Sequence, residues 1–299
     1  MKPSIEEYFE PIKRLSKDLR AAAKSLTIDE VRYLVDLYYQ IQKIRIQAGG
    51  EIRAMSESTE PIEILDWVFV NQQRIERAIF SALDVYTKNE STGMGEWARE
   101  ICGIGPVLSS GLLAHINLEP WRCAKSIAGK AKKPCQPEEA CTPECKLIIV
   151  HTAGHIWRFA GLDPSSIWEA GKKRPWNADL KVICWKIGQS FMKVQANPKD
   201  VYGKLYAKRK ALEQERNEQK LFADQAKNIL ASKRFRKTTE AYKHYSVGKL
   251  PPAHIDARAR RYAVKIFLSH WHAEAYRRKF FKEPPLPYPI AHLGHAHLI

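Results

Sequence analysis

The sequence predicts a mainly α-helical fold, and three observations support this prediction. Apolar side chains recur with helical spacing along most of the 299 residues, and no segment shows the convincing two-residue alternation of a strand. A hydrophobic fraction of 44% predicts that most of the chain folds around a core. Three regions are expected: N-terminal helices over 1–95, a central helical domain over 96–250, and a basic helix with a tail over 251–299.

The N-terminal region is predicted to hold two long helices after an amphipathic helix over 5–25. The second helix starts after Thr27-Ile28-Asp29-Glu30, which has the pattern of a capping box. Gly49-Gly50 is a candidate kink in it, and a third helix is expected over 62–86. Two interpretations stay open: a dimerisation arm that would make a homodimer, or an antiparallel hairpin within one chain.

Further helices are predicted over 147–160, 177–195 and 203–232, with a polar and aromatic connector over 235–248. A strongly basic helix is expected from Pro252 to Lys279. The tail after it closes with His292, His295 and His297, and we interpret these as part of a mobile polar segment rather than as metal ligands.

The chain carries a formal net charge of +16, which suits a polyanionic partner. We expect DNA, with RNA as the alternative.

No apolar run approaches the roughly 20 residues that a membrane span needs. The N-terminus also lacks the apolar segment of a signal peptide. The sequence therefore predicts a cytoplasmic protein without a membrane segment, in which the six cysteines are thiols or metal ligands.

A helix-hairpin-helix element is predicted around Gly103-Ile104-Gly105-Pro106, between helical flanks. Glycine permits close approach of the backbone to a ligand, and proline suits the first turn of the next helix. The free N–H groups at that helix start, with the helix dipole, favour an anion such as a phosphate. The alternative is a plain turn between packed helices. The candidate contacts of the hairpin are Gly103, Ile104, Gly105 and Val107.

Four cysteines lie close together in a Pro- and Lys-rich insertion over 120–146. Cys123, Cys135, Cys141 and Cys145 are separated by 11, 5 and 3 residues. Four thiolates satisfy a tetrahedral Zn²⁺ site, and metal binding would order a loop that has no core of its own. A 4Fe-4S cluster and free reduced thiols are the alternatives. Cys102 and Cys184 lie in apolar helical settings and are interpreted as core residues.

Two basic segments are candidates for further phosphate contacts. One is a short cluster beside Trp176, and the other is one face of the C-terminal basic helix, where cations recur three and four residues apart. Solvated surface residues are the alternative interpretation. The candidate residues are Lys172, Lys173 and Arg174 in the first segment, and Arg258, Arg261 and Lys265 in the second.

Several motifs in the same order resemble the C-terminal domain of the DEDD (Piv-like, bridge-RNA-guided) insertion-sequence transposases. The resemblance covers roughly residues 97–212. It rests on the Gly103–Pro106 hairpin with Gly111-Leu112-Leu113-Ala114, on Gly161-Leu162-Asp163-Pro164, on Gly171-Lys172-Lys173 with Asn177-Ala178-Asp179-Leu180-Lys181, and on Tyr202, Tyr206 and Arg209-Lys210. It implies a DNA-binding protein related to phage or mobile-element transposases.

The sequence also departs from that family at both of its catalytic sets. The family carries metal-binding carboxylates in an N-terminal RuvC-like domain, whereas residues 1–95 here are predicted to be helical without such a set. Trp168-Glu169 occupies the place of the family's serine nucleophile. We therefore expect a DNA-binding protein that contacts the backbone and lacks recombinase chemistry. The alternatives are a glycosylase-like or base-modifying enzyme with an Fe-S or Zn cluster, and a recombinase subunit whose nuclease domain is supplied by another chain.

Overall fold

The computed structural model describes residues 17–55, 63–127 and 135–286. This part of the chain is mainly α-helical, as the sequence predicts, and its one sheet has two short strands. Residues 5–16 of the first predicted helix and the three histidines of the tail lie outside the described residues. None of the described helices is both long and apolar enough to cross a bilayer.

The chain divides into two compact units, residues 1–100 with 105–117, and residues 101–104 with 118–299. The three regions predicted above stay a prediction.

The described residues of the first unit form five helices, of which the third contacts all the others. Their bounds are α1 Lys17–Ala23, α2 Ile28–Met55, α3 Glu63–Asn89, α4 Met94–Glu100 and α5 Pro106–His115. The core includes Val31, Val35, Leu83 and Leu112, all at most 1% exposed. The two long helices α2 and α3 thus pack against each other within one chain.

The start and course of α2 follow from short-range features of the sequence. Thr27 N–H donates to Glu30 Oε2 at 2.7 Å, and Glu30 N–H donates to Thr27 Oγ1 at 3.3 Å. This reciprocal pair is the predicted capping box. Gly49-Gly50 does not end the helix. A Cβ on Gly49 would lie 3.1 Å from the Phe69 ring, so this glycine makes room for a side chain of α3.

The second unit centres on a long C-terminal helix. Its elements are β1 Trp121–Arg122, α6 Ala124–Ile127, β2 Lys146–Leu147, α7 Ala153–Phe159, α8 Ala178–Val194, α9 Tyr202–Glu218, α10 Ala223–Ser232, α11 Glu240–Ser246 and α12 Pro252–Phe280. Helix α12 packs on α7, α8 and α9. Phe191 stacks on Tyr202 with ring centroids 4.9 Å apart, and Phe267 meets Phe191 edge-on at 5.5 Å. These three rings form the centre of this core.

Three elements of the second unit differ from the sequence prediction. Strand β2 and α7 occupy the segment predicted as one helix over 147–160. The helix predicted over 203–232 is broken between α9 and α10, where Lys220 adopts a left-handed φ of 56°. The predicted connector contains α11, whose N-cap Thr239 accepts a hydrogen bond from Tyr242 N–H at 3.3 Å.

The break between α9 and α10 has a tertiary cause. It lets α10 fold against α11, where Ala226, Tyr245, Leu250 and Ile255 form a small buried cluster. The Asn217 side chain fixes this arrangement because it accepts from Leu250 N–H at 2.7 Å and donates to Leu250 O at 2.9 Å. Local sequence gives no glycine or proline at 219–222 to signal the turn.

Candidate metal centre and nucleic-acid-binding surface

The two-stranded sheet brings the first and last cysteines of the insertion together. Trp121 pairs with Leu147 and Arg122 with Lys146 in an antiparallel register. Cys123 follows β1 directly and Cys145 precedes β2 directly, so the two cysteines lie at the next position of the same ladder. The ladder continues away from the cysteines, because Ile148 N–H donates to Pro120 O at 3.1 Å and Val150 N–H donates to Leu118 O at 2.8 Å.

All four cysteines of the insertion meet at one point, as the sequence predicts. The Sγ atoms of Cys123, Cys135, Cys141 and Cys145 lie within 4.8 Å of one another. Cys141 Sγ is 3.6 Å from both Cys123 Sγ and Cys145 Sγ, and Cys135 Sγ is 3.6 Å from Cys145 Sγ. Cys123 and Cys145 are buried. We call this group the cysteine cluster; its arrangement is compatible with a bound metal ion.

Hydrogen bonds around Cys145 favour its thiolate form. The Thr142 hydroxyl lies 3.4 Å from Cys145 Sγ, and Ala124 N–H donates to the same sulfur at 3.4 Å. These two groups lower the pKa of the Cys145 thiol to about 6. Metal-bound thiolates commonly accept such hydrogen bonds, which orient the ligand. The segment 123–145 therefore supplies both ligands and their supporting donors.

Helix α12 holds the segment that follows the cysteine cluster. His272 lies 2% exposed on α12, with Nε2 2.8 Å from Val150 O. Lys279 Nζ, also on α12, lies 2.7 Å from Oε2 of Glu119, which precedes β1.

The other two cysteines are separate from this cluster. Cys184 is buried in α8, where burial raises its pKa to about 12, and Cys102 is half-buried.

The predicted hairpin has glycines with two different roles. Gly103 has a φ of +92°, and its carbonyl accepts from Ser190 Oγ at 2.6 Å. Gly105 is exposed at the N-cap of α5 and, as a glycine, has no side chain to cap the helix. A Cβ on Gly105 would meet no atom within 4 Å, so the space beside this helix start is open. Ile104 and Val107 are buried, so their side chains are not placed to contact a ligand.

A group of cations surrounds an indole at the start of α8. Asn177 caps α8, accepting from Leu180 N–H at 2.8 Å, and this turn places Trp176 beside Lys181. Lys181 Nζ lies 3.9 Å from the centroid of the Trp176 ring. Burial lowers the pKa of Lys181, and the nearby charges of Arg261 and Arg174 lower it further. We call Arg174, Lys181 and Arg261 the basic surface.

The basic surface has no ion pair with an acid in the part of the chain that the structure describes. Among the residues that the structure describes, none of its three cations forms an ion pair with a carboxylate. Arg174 lies over the Trp168 ring at 5.5 Å, and both side chains are exposed. Uncompensated cations with interleaved aromatic rings are typical of surfaces that bind nucleic acid.

The remaining basic candidates are placed differently. Lys172 pairs with Glu169 at 2.6 Å on the surface, and Lys173 is exposed. Lys265 is half-buried, with Nζ 4.5 Å from the centroid of the Trp157 ring. Arg258 points into the protein, where its Nε–H donates to buried Glu213 at 2.8 Å. Arg258 thus has a structural contact, whereas the other three remain near solvent.

Lys181 was not among the candidates that the sequence singled out. It is the fourth residue after the cap Asn177, and Trp176 directly precedes the cap; side chains at these two positions commonly pack against each other at a helix start. The order of aromatic residue, cap and lysine is present in the sequence of Trp176-Asn177-Ala178-Asp179-Leu180-Lys181. The proximity of Lys181 to Arg261 of α12 could not be predicted from the sequence, because it depends on how the two helices pack.

Comparison with known proteins adds no relative. No protein family, no curated protein and no solved structure matches this chain.

Proposed function

We propose that this protein binds the phosphate backbone of DNA without catalysing a reaction on it. The observation that carries the proposal is the basic surface: Lys181 lies over the Trp176 ring close to the charges of Arg174 and Arg261, and none of the three cations pairs with a carboxylate of the described residues. Holding like charges close together costs energy unless an anion lies among them. A phosphodiester supplies that anion, and the indole edge suits the sugar or a base.

The start of α5 supplies a second phosphate contact, which is independent of the basic surface. Pro106 occupies the first helical position, and the N-cap Gly105 has no side chain that could cap the helix. Helix-start N–H groups that no cap satisfies can bind an anion, and the dipole adds a favourable field. The open space at Gly105 lets a phosphate approach this backbone closely. Such a contact positions a duplex without identifying its sequence.

For the cysteine cluster we propose a structural Zn²⁺ ion. Zn–S bonds of about 2.3 Å in a tetrahedron place the sulfurs about 3.8 Å apart. The 3.6 Å separations of Cys141 from Cys123 and Cys145 are close to that value. A 4Fe-4S cluster carries one iron per thiolate and holds its cysteines much further apart. Four protein ligands leave no open position for water, which favours a structural ion over a catalytic one.

The enzyme alternatives receive less support from the geometry. The first aspartate after the hairpin is Asp163, whose Oδ1 accepts from Ser165 N–H and Ser165 Oγ–H, both at 2.9 Å. These bonds close a local turn, in which the Asp163 carboxylate accepts from both the backbone and the side chain of Ser165. A non-catalytic role in binding DNA therefore accounts for more of the observed contacts than a glycosylase or a recombinase does.

We further propose that the N-terminal helices form a homodimer. Ile64, Trp67 and Ile75 lie on one face of α3 and are 78%, 54% and 45% exposed. A second copy of the chain would cover them. Light scattering coupled to size-exclusion chromatography tests this: Trp67→Lys should convert a dimer to a monomer, and a monomeric wild-type protein would refute it.

The DNA-binding proposal is tested by titrating labelled duplex, single-stranded and junction DNA while varying salt. Lys181→Gln and Arg261→Gln together should weaken binding and reduce the slope of log K against log salt by about 2. Lys208→Gln together with Lys227→Gln, at exposed sites on α9 and α10, is the matched control for the loss of two charges and should change the slope little. Unchanged binding by the double variant would refute the basic surface as the contact.

The α5 contact is tested separately by Gly105→Leu. The site has room for a side chain and a φ of −95°, so the variant should fold as the wild type does. Its side chain would block the approach of a phosphate to the first turn of α5. We expect weaker DNA binding with an unchanged circular-dichroism spectrum. Binding equal to that of the wild type would remove α5 from the interface.

A further inference from the structure

The short sheet beside the cysteine cluster places two cations directly opposite each other. Arg122 of β1 pairs with Lys146 of β2, and both are exposed. Within the described ranges, neither side chain forms an ion pair with a carboxylate. Directly opposed side chains in an antiparallel pair have Cβ atoms about 5 Å apart. The two positive charges therefore repel each other on the same face of the sheet.

This arrangement opposes the stability of the sheet that carries it. The described strands have two residues each, so Arg122 and Lys146 form one of the two residue pairs within the sheet. Like charges at directly opposed positions destabilise a strand pair. A glutamate at either position would have produced an attractive pair instead. The repulsion is relieved when an anion lies between the two side chains.

The cysteine cluster, if it holds a metal ion, would be an anionic group near Arg122 and Lys146. Four thiolates with one Zn²⁺ carry a net charge of about −2. Successive side chains of a strand point to opposite faces, however. Cys123 and Cys145 are the neighbours of Arg122 and Lys146 along their strands, so their sulfurs lie on the other face of the ladder. The two cations therefore point away from the thiolates, toward solvent.

We propose that Arg122 and Lys146 together bind a phosphodiester group of a nucleic acid, so that the cysteine cluster serves to hold this cationic pair in place. The inference rests on the proposed function, because it names a further contact of the same DNA-binding protein. Guanidinium and ammonium groups on adjacent strands suit a phosphate, whose oxygens accept hydrogen bonds from both. The metal site would thus act by positioning the pair, without contacting the nucleic acid.

The test is a charge reversal that moves stability and binding in opposite directions. In Lys146→Glu, the new carboxylate would pair with Arg122, so the thermal unfolding midpoint should be equal to or higher than that of the wild type. Affinity for duplex DNA should fall about tenfold, the effect of losing one charge-assisted phosphate contact. Zinc content should remain unchanged. Duplex RNA, titrated in parallel, shows which backbone the pair prefers.

Two controls separate this inference from its alternatives. Lys227→Glu makes the same change of net charge at an exposed site on α10, and an equal loss of affinity there would overturn the inference. Lys146→Gln keeps the side-chain size, and loss of zinc in that variant would assign the pair to the metal site instead. Binding by Lys146→Glu equal to that of the wild type would overturn this contact alone. A wild-type protein that binds no nucleic acid would overturn both this contact and the proposed function.

Discussion

Arg258 of α12 donates its Nε–H to Glu213 Oε2 of α9 at 2.8 Å, and the carboxylate side chain of Glu213 is completely buried. Arg209 and Arg216 of α9 also pair with Glu213, and Gln225 accepts from Arg258 Nη1–H at 3.2 Å. One buried anion therefore joins α9 to α12. This contact explains why Arg258 lies inside a helix interface although it belongs to a strongly basic helix.

Replacing Glu213 should destabilise the second unit in a pH-dependent way. Burial alone would raise the pKa of Glu213, but the hydrogen bond from Arg258 and the charge of Arg209 outweigh it and lower the pKa. A lowered folded-state pKa means that the stabilisation is present above the ordinary glutamate pKa and is lost as pH falls through the folded-state value. Glu213→Gln should cost about 2 kcal/mol at pH 7, since the arginines remain partly solvated.

Urea unfolding of wild type and Glu213→Gln over a series of pH values checks this expectation. The difference in the free energy of unfolding should shrink below the ordinary glutamate pKa, because the wild-type carboxyl is then also neutral. Glu215→Gln, at an exposed site on the same helix, is the control. A difference that does not vary with pH would show that the charge of Glu213 is not what stabilises the interface.

Removing one thiolate of the cysteine cluster should release the metal. Cys141→Ser keeps the size of the side chain but replaces a soft thiolate ligand, so zinc measured by elemental analysis should fall from about one ion per chain to a small fraction. Cys102→Ser should keep its zinc, because Cys102 lies apart from the cluster. Full zinc retention by Cys141→Ser, or iron and sulfide in the purified wild type, would contradict the proposed zinc site.

The two glycines of the hairpin should differ in their tolerance of a side chain. Gly103→Ala forces alanine to a φ of +92° and puts Cβ 3.1 Å from Val194 Cγ2, so we expect a loss of about 1–2 kcal/mol. Gly105→Ala meets no atom within 4 Å and should change stability by less than about 0.5 kcal/mol. Thermal unfolding measures both, and equal effects would contradict the described backbone.

Asn217 should matter for the docking of α10 and α11. Asn217→Ala leaves the N–H and the carbonyl of buried Leu250 without their partner, which should cost about 2 kcal/mol. Hydrogen exchange in 223–250 should increase, since these helices pack around Leu250. Asn228→Ala, at an exposed position of α10, should change neither quantity. An unaltered exchange pattern in Asn217→Ala would be evidence against this role.

Those features that depend on local chemistry could be predicted from the sequence. The capping box of Thr27 and Glu30, the Asn177 cap and the bounds of α12 each follow from residues close together in the chain. The gathering of the four cysteines was also predictable, because their residue type limits what such a loop can do.

Features that depend on tertiary packing could not be predicted in the same way. The left-handed turn at Lys220 uses residues that favour helix, and its cause is the contact of Asn217 with a residue 33 positions later. Strands β1 and β2 are too short for an alternating pattern. The inward direction of Arg258 depends on Glu213 of another helix, although its sequence neighbours look like a solvent-exposed basic face.

Helix α5 has a consequence for how the protein can be divided into fragments. It follows 101–104, which belong to the second unit, yet its own Leu112 is fully buried in the first unit among α2 and α3. A fragment that stops at Glu100 would leave an apolar groove uncovered, and such a piece is expected to aggregate when expressed alone. A cut after Asn117 keeps this helix with its neighbours, and is the boundary at which the N-terminal part should remain folded in isolation.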